Sequence, residues 1–390
     1  MRGRNIKDVK ESNKALLYEC VRRNGRITLA ALMEITNLSR PTVTGLIREV
    51  EDENLIIQIG FDNSNVGRAP TLYGINPNIA YAIGVDFDYP FSRISICDLS
   101  GSKIVSSHLK YPRNIDTQTA MDMLINQIDN LIAESGIDRK DFLGIGLGMP
   151  GSVDIRKKRS IVLERISDWL DYPVGDVLSE RFGLPIHMEN DVHALTYAER
   201  KLWEENEFTD TLFVSIRSGI GMAVIMDGHV LNGCYGNTGF LGHTIVDIDG
   251  PRCSCGKRGC LELYCSEPAM LKMYSEWTGQ TIDSVKTLVE RANDRDIDAV
   301  RVLEYAGYHL GIGLVNAALV FDVTRIVVNA QFDASAILRR AQETLDENIN
   351  QYRSGGKVKL YDGRLKEPDY GLGACLMAIE QTEIFSAPTL

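Results

Sequence analysis

The clearest chemistry in this sequence lies in His243 and the run Cys253-Ser254-Cys255-Gly256-Lys257-Arg258-Gly259-Cys260. One imidazole and three thiolates suit tetrahedral zinc, and Gly256 and Gly259 let a tight loop fold around an ion. Four protein ligands close a structural site and leave no position for catalytic water. The Cys-x-Cys spacing is tighter than the general zinc rule, so reduced cysteines without metal remain the alternative. Hydrophilic Ser254, Lys257 and Arg258 between the thiols are poor company for an apolar core.

A second cluster is Glu189-Asn190-Asp191, which follows the strand-like Leu184-Pro185-Ile186-His187-Met188 and precedes a helix starting near Val192. A carboxylate there can accept a proton from a ligand hydroxyl, and Asn190 can donate and accept beside it. The competing reading is a simple helix cap. Glu262, just past the cysteine loop, is equally ambiguous alone, but His243 near both makes a polyol site attractive. His187, His193, His229 and His309 show no comparable spacing and read as structural or surface residues.

These groups need a scaffold. Strands are expected over 82–87 and 93–98 with a third near Ile104, then an amphipathic helix over 117–135 and a buried strand over 142–149 ending in Pro150-Gly151. A similar grammar returns with strands at 212–216 and 219–226. Helices follow near 268–277, 284–292, 298–319 and 334–348, with a strand at 326–329 between the last two. Two α/β lobes around a ligand cleft are the economical architecture. The tail over 371–380 reads as a closing helix that packs back on the first lobe.

The first seventy residues differ. A helix over 13–23 stops at Asn24-Gly25, Thr28 caps a second, and Ser39 caps a third that carries Pro41 in its first turn. Two short helices around a tight turn form a helix-turn-helix, here with Val43, Leu46, Ile47 and Val50 facing inward. Ser39, Arg40, Thr42, Thr44 and Arg48 are left for a DNA groove. Two strand-like segments around 55–60 and 70–75 then make a wing with Arg68 at its tip. A helical docking domain without DNA contact is the bland alternative.

Composition agrees with this division. The chain has 390 residues and a net charge of −11, yet residues 1–70 carry 11 Lys/Arg against 9 Asp/Glu. An acidic body with a near-neutral head fits DNA contact by the head alone. No apolar run spans a bilayer and no secretion signal opens the chain, and clustered cysteines favour metal over disulfides, so a cytoplasmic location is expected.

Together these motifs resemble the ROK family of bacterial sugar kinases and repressors. The most specific match is Gly239-Phe240-Leu241-Gly242-His243 with Cys253 to Cys260 and Leu261-Glu262, while Gly67-Arg68-Ala69-Pro70 looks like a repressor wing. The resemblance implies a winged helix-turn-helix domain (1–76) before a two-lobed α/β hexokinase/actin-like, ribonuclease H-like body. That body divides into a first lobe (80–194 with 371–390) and a second (195–370) holding the zinc loop. It further implies structural zinc on His243, Cys253, Cys255 and Cys260, dimers or tetramers, and a sugar or sugar phosphate as inducer.

The departures from the family pattern are as informative. Its Asp-x-Gly-Gly-Thr phosphate loop is Asp86-Phe87-Asp88-Tyr89-Pro90 here, which removes backbone donors and adds charge. The second phosphate loop reads Arg217-Ser218-Gly219-Ile220-Gly221, and Ala330-Gln331 replaces a glycine pair near the nucleotide base. Asn190, Asp191, His243 and Glu262 match sugar-contacting positions, whereas Phe240, Arg165 and His193 depart from them. Arg165 and Arg217 are cations that can meet an anionic group on a modified or acidic sugar.

A non-enzymatic, sugar-responsive DNA-binding regulator is therefore expected, a repressor of carbohydrate metabolism genes acting on a double-stranded operator. The alternatives are an ATP-dependent sugar kinase with a regulatory head and an effector-independent DNA-binding protein.

Overall fold

The computed structural model describes residues 6–62, 69–163, 165–204, 207–349 and 356–382. Helix α1 (Ile6–Asn24) closes at Gly25, whose φ of 64° is the left-handed geometry expected there. Strand β1 (Ile27–Thr28) leads into α2 (Leu29–Thr36), with the Thr28 hydroxyl accepting from the Ala31 N–H at 3.2 Å. Asn37, at φ 53°, turns the chain into α3 (Arg40–Asp52), capped by Ser39. Val43, Leu46, Ile47 and Val50 are buried against Leu17, Val21 and Leu32, which fixes the outward face of α3. Strands β2 (Ile56–Phe61) and β3 (Thr71–Ile75) pair antiparallel, and β1 adds to β3. The expected wing tip with Arg68 lies outside the described residues.

The body opens with β4 (Tyr81–Asp86), β5 (Phe91–Asp98) and β6 (Lys103–Lys110), an antiparallel meander. Helix α4 (Thr117–Ser135) follows, then β7 (Phe142–Met149) parallel to β4. Three short strands, β8 (Ser152–Asp154), β9 (Arg159–Val162) and β10 (Leu170–Tyr172), form a small separate sheet. Helix α5 (Val174–Phe182) returns the chain to β11 (Ile186–Asn190), parallel to β7, which runs directly into α6 (Asp191–Lys201). The strand order is β11-β7-β4-β5-β6.

The second lobe repeats this plan. Strands β12 (Thr211–Ile216), β13 (Ile220–Met226) and β14 (His229–Val230) form the meander. The cysteine loop and helices α7 (Glu262–Cys265), α8 (Glu267–Thr278), α9 (Val285–Asn293) and α10 (Ile297–Phe321) follow. Then β15 (Arg325–Ala330) lies parallel to β12, and after α11 (Ser335–Asn348) β16 (Lys359–Asp362) extends the sheet. The order β14-β13-β12-β15-β16 is that of the first sheet: a meander with two parallel strands added beside its first strand. Helix α12 (Tyr370–Gln381) packs back on the first lobe, as its apolar pattern predicts.

Each lobe surrounds its own apolar core, and a third buried cluster joins α1–α3 to residues of β4, α6 and α12. The head is therefore packed on the body. Among the described residues no helix is long and apolar enough to cross a membrane.

Candidate functional site

A cleft of about 740 Å³ opens between the lobes, and Arg165, Asn190, Asp191, His243 and Glu262 all line it. The family resemblance named Asn190, Asp191, His243 and Glu262 as ligand contacts and Arg165 as a departure able to meet an anion, and the fold gathers all five from separate segments. Asn190 is both cleft residue and helix cap: its side-chain oxygen accepts from the Val192 N–H at 3.0 Å, while its amide donates to the Gly151 carbonyl at 3.3 Å. The strand thus runs two residues further than its apolar stretch, and Asp191 becomes the first residue of α6. Burial raises the Asp191 carboxyl above its ordinary range, opposed by the guanidinium of Arg217 3.9 Å away.

Arg217 leaves the end of β12 and turns inward, 5% exposed. Its guanidinium donates to Asp86 at 2.8 and 3.2 Å and to Asp88 at 3.3 Å, above the face of Tyr370 at 5.1 Å. Arg93 reaches the same two carboxylates at 3.5 Å, pairs with Glu367, and also covers Tyr370. Burial pushes the Asp86 carboxyl up to about 7 even with two arginines pulling it down. Glu267, at the start of α8, is pushed to about 7 by burial and then by Asp88.

The loop after β4 turns its amides inward. The Asp88 N–H donates to the Ser92 hydroxyl at 3.3 Å and the Tyr89 N–H to the Asp88 carboxylate at 2.8 Å. At the far end of β15, Asn329 donates to the Leu365 carbonyl and accepts from the Tyr370 hydroxyl, both at 2.6 Å. The sequence pointed to Arg217 as a cation for a ligand anion; in the fold its charge is committed to Asp86 and Asp88. Arg165 is exposed and donates to the Ser218 carbonyl at 3.1 Å. Arg93, Glu367 and Tyr370 were missed as members of this cluster. An arginine inside the apolar strand pattern of β5 was the available signal.

The donor atoms of His243, Cys253, Cys255 and Cys260 all lie within 4.8 Å of one another. Cys255 and Cys260 sulfurs are 3.6 Å apart, and Cys253 sulfur is 3.7 Å from His243 Nδ1. Donors about 2.0–2.3 Å from a central ion stand about 3.3–3.8 Å apart in a tetrahedron, so the set fits a metal ion such as zinc. The loop is braced by Lys257, which donates to the His243 carbonyl at 2.8 Å. Glu262 lies beside both parts, its Oε1 3.2 Å from His243 Nδ1 and 3.1 Å from Cys253 sulfur. The four histidines set aside by spacing behave as structural or surface groups where described; His193, for example, is buried with Nε2 2.8 Å from the Thr238 carbonyl.

On the head, Ser39, Arg40, Thr42 and Arg48 are exposed on the outer face of α3, with Thr44 half-buried. This is the face that a helix-turn-helix offers to a major groove.

The ROK family profile matches residues 83–381. The chain belongs to the ROK family. A winged helix-turn-helix DNA-binding profile matches residues 13–57 of this ROK protein. It is 33% identical over 320 residues to the xylose repressor of Bacillus spizizenii, covering 82% of each chain. A ROK family transcriptional regulator described as a homologue of the E. coli MLC protein has the same fold from end to end, with a TM-score of 0.78 at 22% identity over 95% of this chain and 96% of that one. The body alone is similar to a ROK hexokinase from Thermus thermophilus, with a TM-score of 0.63 and 25% identity over 78% of this chain and 99% of that one.

Proposed function

We propose that this ROK protein is a transcriptional repressor that binds an operator through α3 and its wing, and releases it when a sugar enters the interlobe cleft. The units of the proposal are the head (1–76), the first lobe (80–194 with 371–390) and the second lobe (195–370), working as a homo-oligomer with two heads on paired half-sites. The observation that carries it is Arg217: a buried side chain bound to Asp86 and Asp88 occupies the ground where the family's kinases use two phosphate loops. The inward amides of Asp88 and Tyr89 leave little for a triphosphate to bond, which favours a sensor over an enzyme.

Asn190, Asp191, His243 and Glu262 supply acceptors and donors for sugar hydroxyls. Arg217, the buried cation beside Asp191, is committed to Asp86 and Asp88, which favours a neutral sugar over an acidic one at that end of the cleft. D-xylose, named for the repressor of B. spizizenii, is the first to test. Zinc on His243, Cys253, Cys255 and Cys260 would be structural, since the four ligands fill its tetrahedron, and would hold the loop carrying two cleft residues in place.

The test is DNA affinity with and without D-xylose, run beside ATP consumption. D-xylose is expected to weaken operator binding by wild type and to have no effect on Asp191→Ala, with no sugar-dependent ATP use by either. Sugar phosphorylation that disappears in Asp191→Asn would overturn the proposal in favour of a kinase. For the head, Arg40→Ala is expected to cost about 1–3 kcal/mol against the preferred base and to flatten sequence preference. Equal affinity of that variant for operator and scrambled duplexes, measured across salt concentrations, checks it. Affinity and preference unchanged from wild type would favour the docking-domain reading.

A further inference from the structure

Two helices run from the cleft to the head. Helix α6 starts at Asp191, which lines the cleft beside Arg217, and its last turn carries Arg200. Helix α12 starts at Tyr370, whose ring lies under Arg217 and Arg93, and ends near Glu380. With 11 and 12 residues, the helices span about 16–18 Å at 1.5 Å per residue. Their far ends meet at one carboxylate: Glu380 accepts from Arg200 and lies 3.5 Å from Arg22 Nη1 on α1 of the head. Arg22 is held in a forked pair by Glu19, at 2.7 and 2.8 Å, so its remaining nitrogen is aimed at the body.

The two helices cannot slide independently of each other or of the sheet. A Cβ at Gly373 of α12 would fall 2.4 Å from the Ala194 carbonyl of α6, and one at Gly146 of β7 only 1.8 Å from the Ala374 carbonyl. Backbones this close move as one body, because packed cores switch between arrangements rather than deform continuously.

Resting on the sugar-sensor reading, we infer that α6 and α12 form a paired strut that carries rearrangement at the cleft to the DNA-binding head, with the Arg200–Glu380–Arg22 junction as its point of contact. Ligand drawn to Asp191 shifts the cleft end of the strut. The junction then moves α1, on which α2 and α3 are packed. Glu380 and Arg22 are positioning residues and touch neither ligand nor DNA.

The experiment uses the full chain, a duplex selected from random-sequence DNA by the wild type, and D-xylose as probe. The quantity measured is the ratio of DNA dissociation constants with and without sugar. Glu380→Gln and Arg22→Gln are each expected to bind D-xylose within about twofold of wild type, by calorimetry, yet to lose about threefold or more of that ratio. The double variant should lose no more than the larger single, as members of one junction do. Lys366→Gln, which breaks an exposed pair with Asp362, is the control and should change nothing. Ratios equal to wild type in both junction variants would overturn the strut.

Should wild type show no D-xylose effect, the choice of xylose fails, and the strut is judged by reciprocity instead. Binding the duplex should then alter amide hydrogen exchange over residues 191–197 in wild type but not in Glu380→Gln. The same change in both proteins, or none in wild type, overturns it.

Discussion

Arg217→Ala is expected to lower stability by about 3–5 kcal/mol at pH 8, the usual consequence of stranding one side of a buried ion pair. The variant leaves Asp86 and Asp88 with Arg93 alone, and Asp86 is 2% exposed. The pH dependence identifies the group responsible. The Asp86 carboxyl sits near 3.8 in an unfolded chain and is pushed to about 7 in the fold. A carboxyl raised by folding stabilises fully below its unfolded value, and that contribution is lost as pH climbs through the folded value. Without Arg217 the folded value moves higher still, so the deficit should shrink between pH 8 and pH 5. Urea unfolding at the two pH values measures it. Arg217→Lys, which keeps a charge but loses the fork, should fall between wild type and alanine. A deficit of equal size at both pH values would mean that the arginine acts through packing on Tyr370 and not through the carboxylates.

The same cluster shows where the sequence stops being informative. Asp86 and Arg217 are 131 residues apart, and nothing local ties one to the other. Their departure from the family pattern was visible, but its outcome, a salt bridge across the lobes, depends on how the two sheets face each other. Arg217 looked like a cation for a ligand because a lone sequence position cannot reveal its partners. Head geometry, by contrast, was legible because it is made of contacts three or four residues apart. Thr28, Asn37 and Ser39 each terminate or begin a helix by their own side chains or backbone, and the spacing of Val43, Leu46, Ile47 and Val50 gives the buried face directly.

The meander strands and the long helices were legible for the same reason, each having a strong period. Three parts were not. Strands β8–β10 are three or four residues long, too short for an alternating pattern to show. Helix α5 follows Pro173 without any side-chain cap. Strand β16, Lys359-Leu360-Tyr361-Asp362, is an edge strand that β15 recruits by parallel pairing. These segments take their structure from neighbours. The ligand cleft lies between both kinds of region: its walls at Asn190 and His243 come from legible motifs, and Ser152 and Val162 come from the small sheet.

Cys255→Ser is expected to produce the other large effect, loss of bound zinc with loss of sugar response. A four-ligand zinc site supplies about 10–16 kcal/mol of apparent binding energy at neutral pH, and this is available to order the loop that bears it. The loop from His243 to Cys260 contains a β-bridge between Arg252 and Arg258 and another between Ile245 and Cys260, but little regular structure otherwise. Without an ion, its three sulfurs and one imidazole have mainly each other as polar company. Loss of the metal should therefore loosen the loop and with it Glu262, on the cleft wall beside Cys253. The head shares its buried cluster with α6, α12 and the first sheet, whereas Leu241 and Leu261 beside this loop belong to the core of the second lobe, so the variant should still bind DNA while no longer releasing it with D-xylose. Zinc per chain by elemental analysis, DNA affinity and its D-xylose dependence separate the effects. Treating wild type with a chelator should reproduce the variant. One zinc per chain retained in Cys255→Ser would remove this thiol from the ligand set, and a sugar response that survives zinc loss would show that the cleft wall holds its shape without the ion.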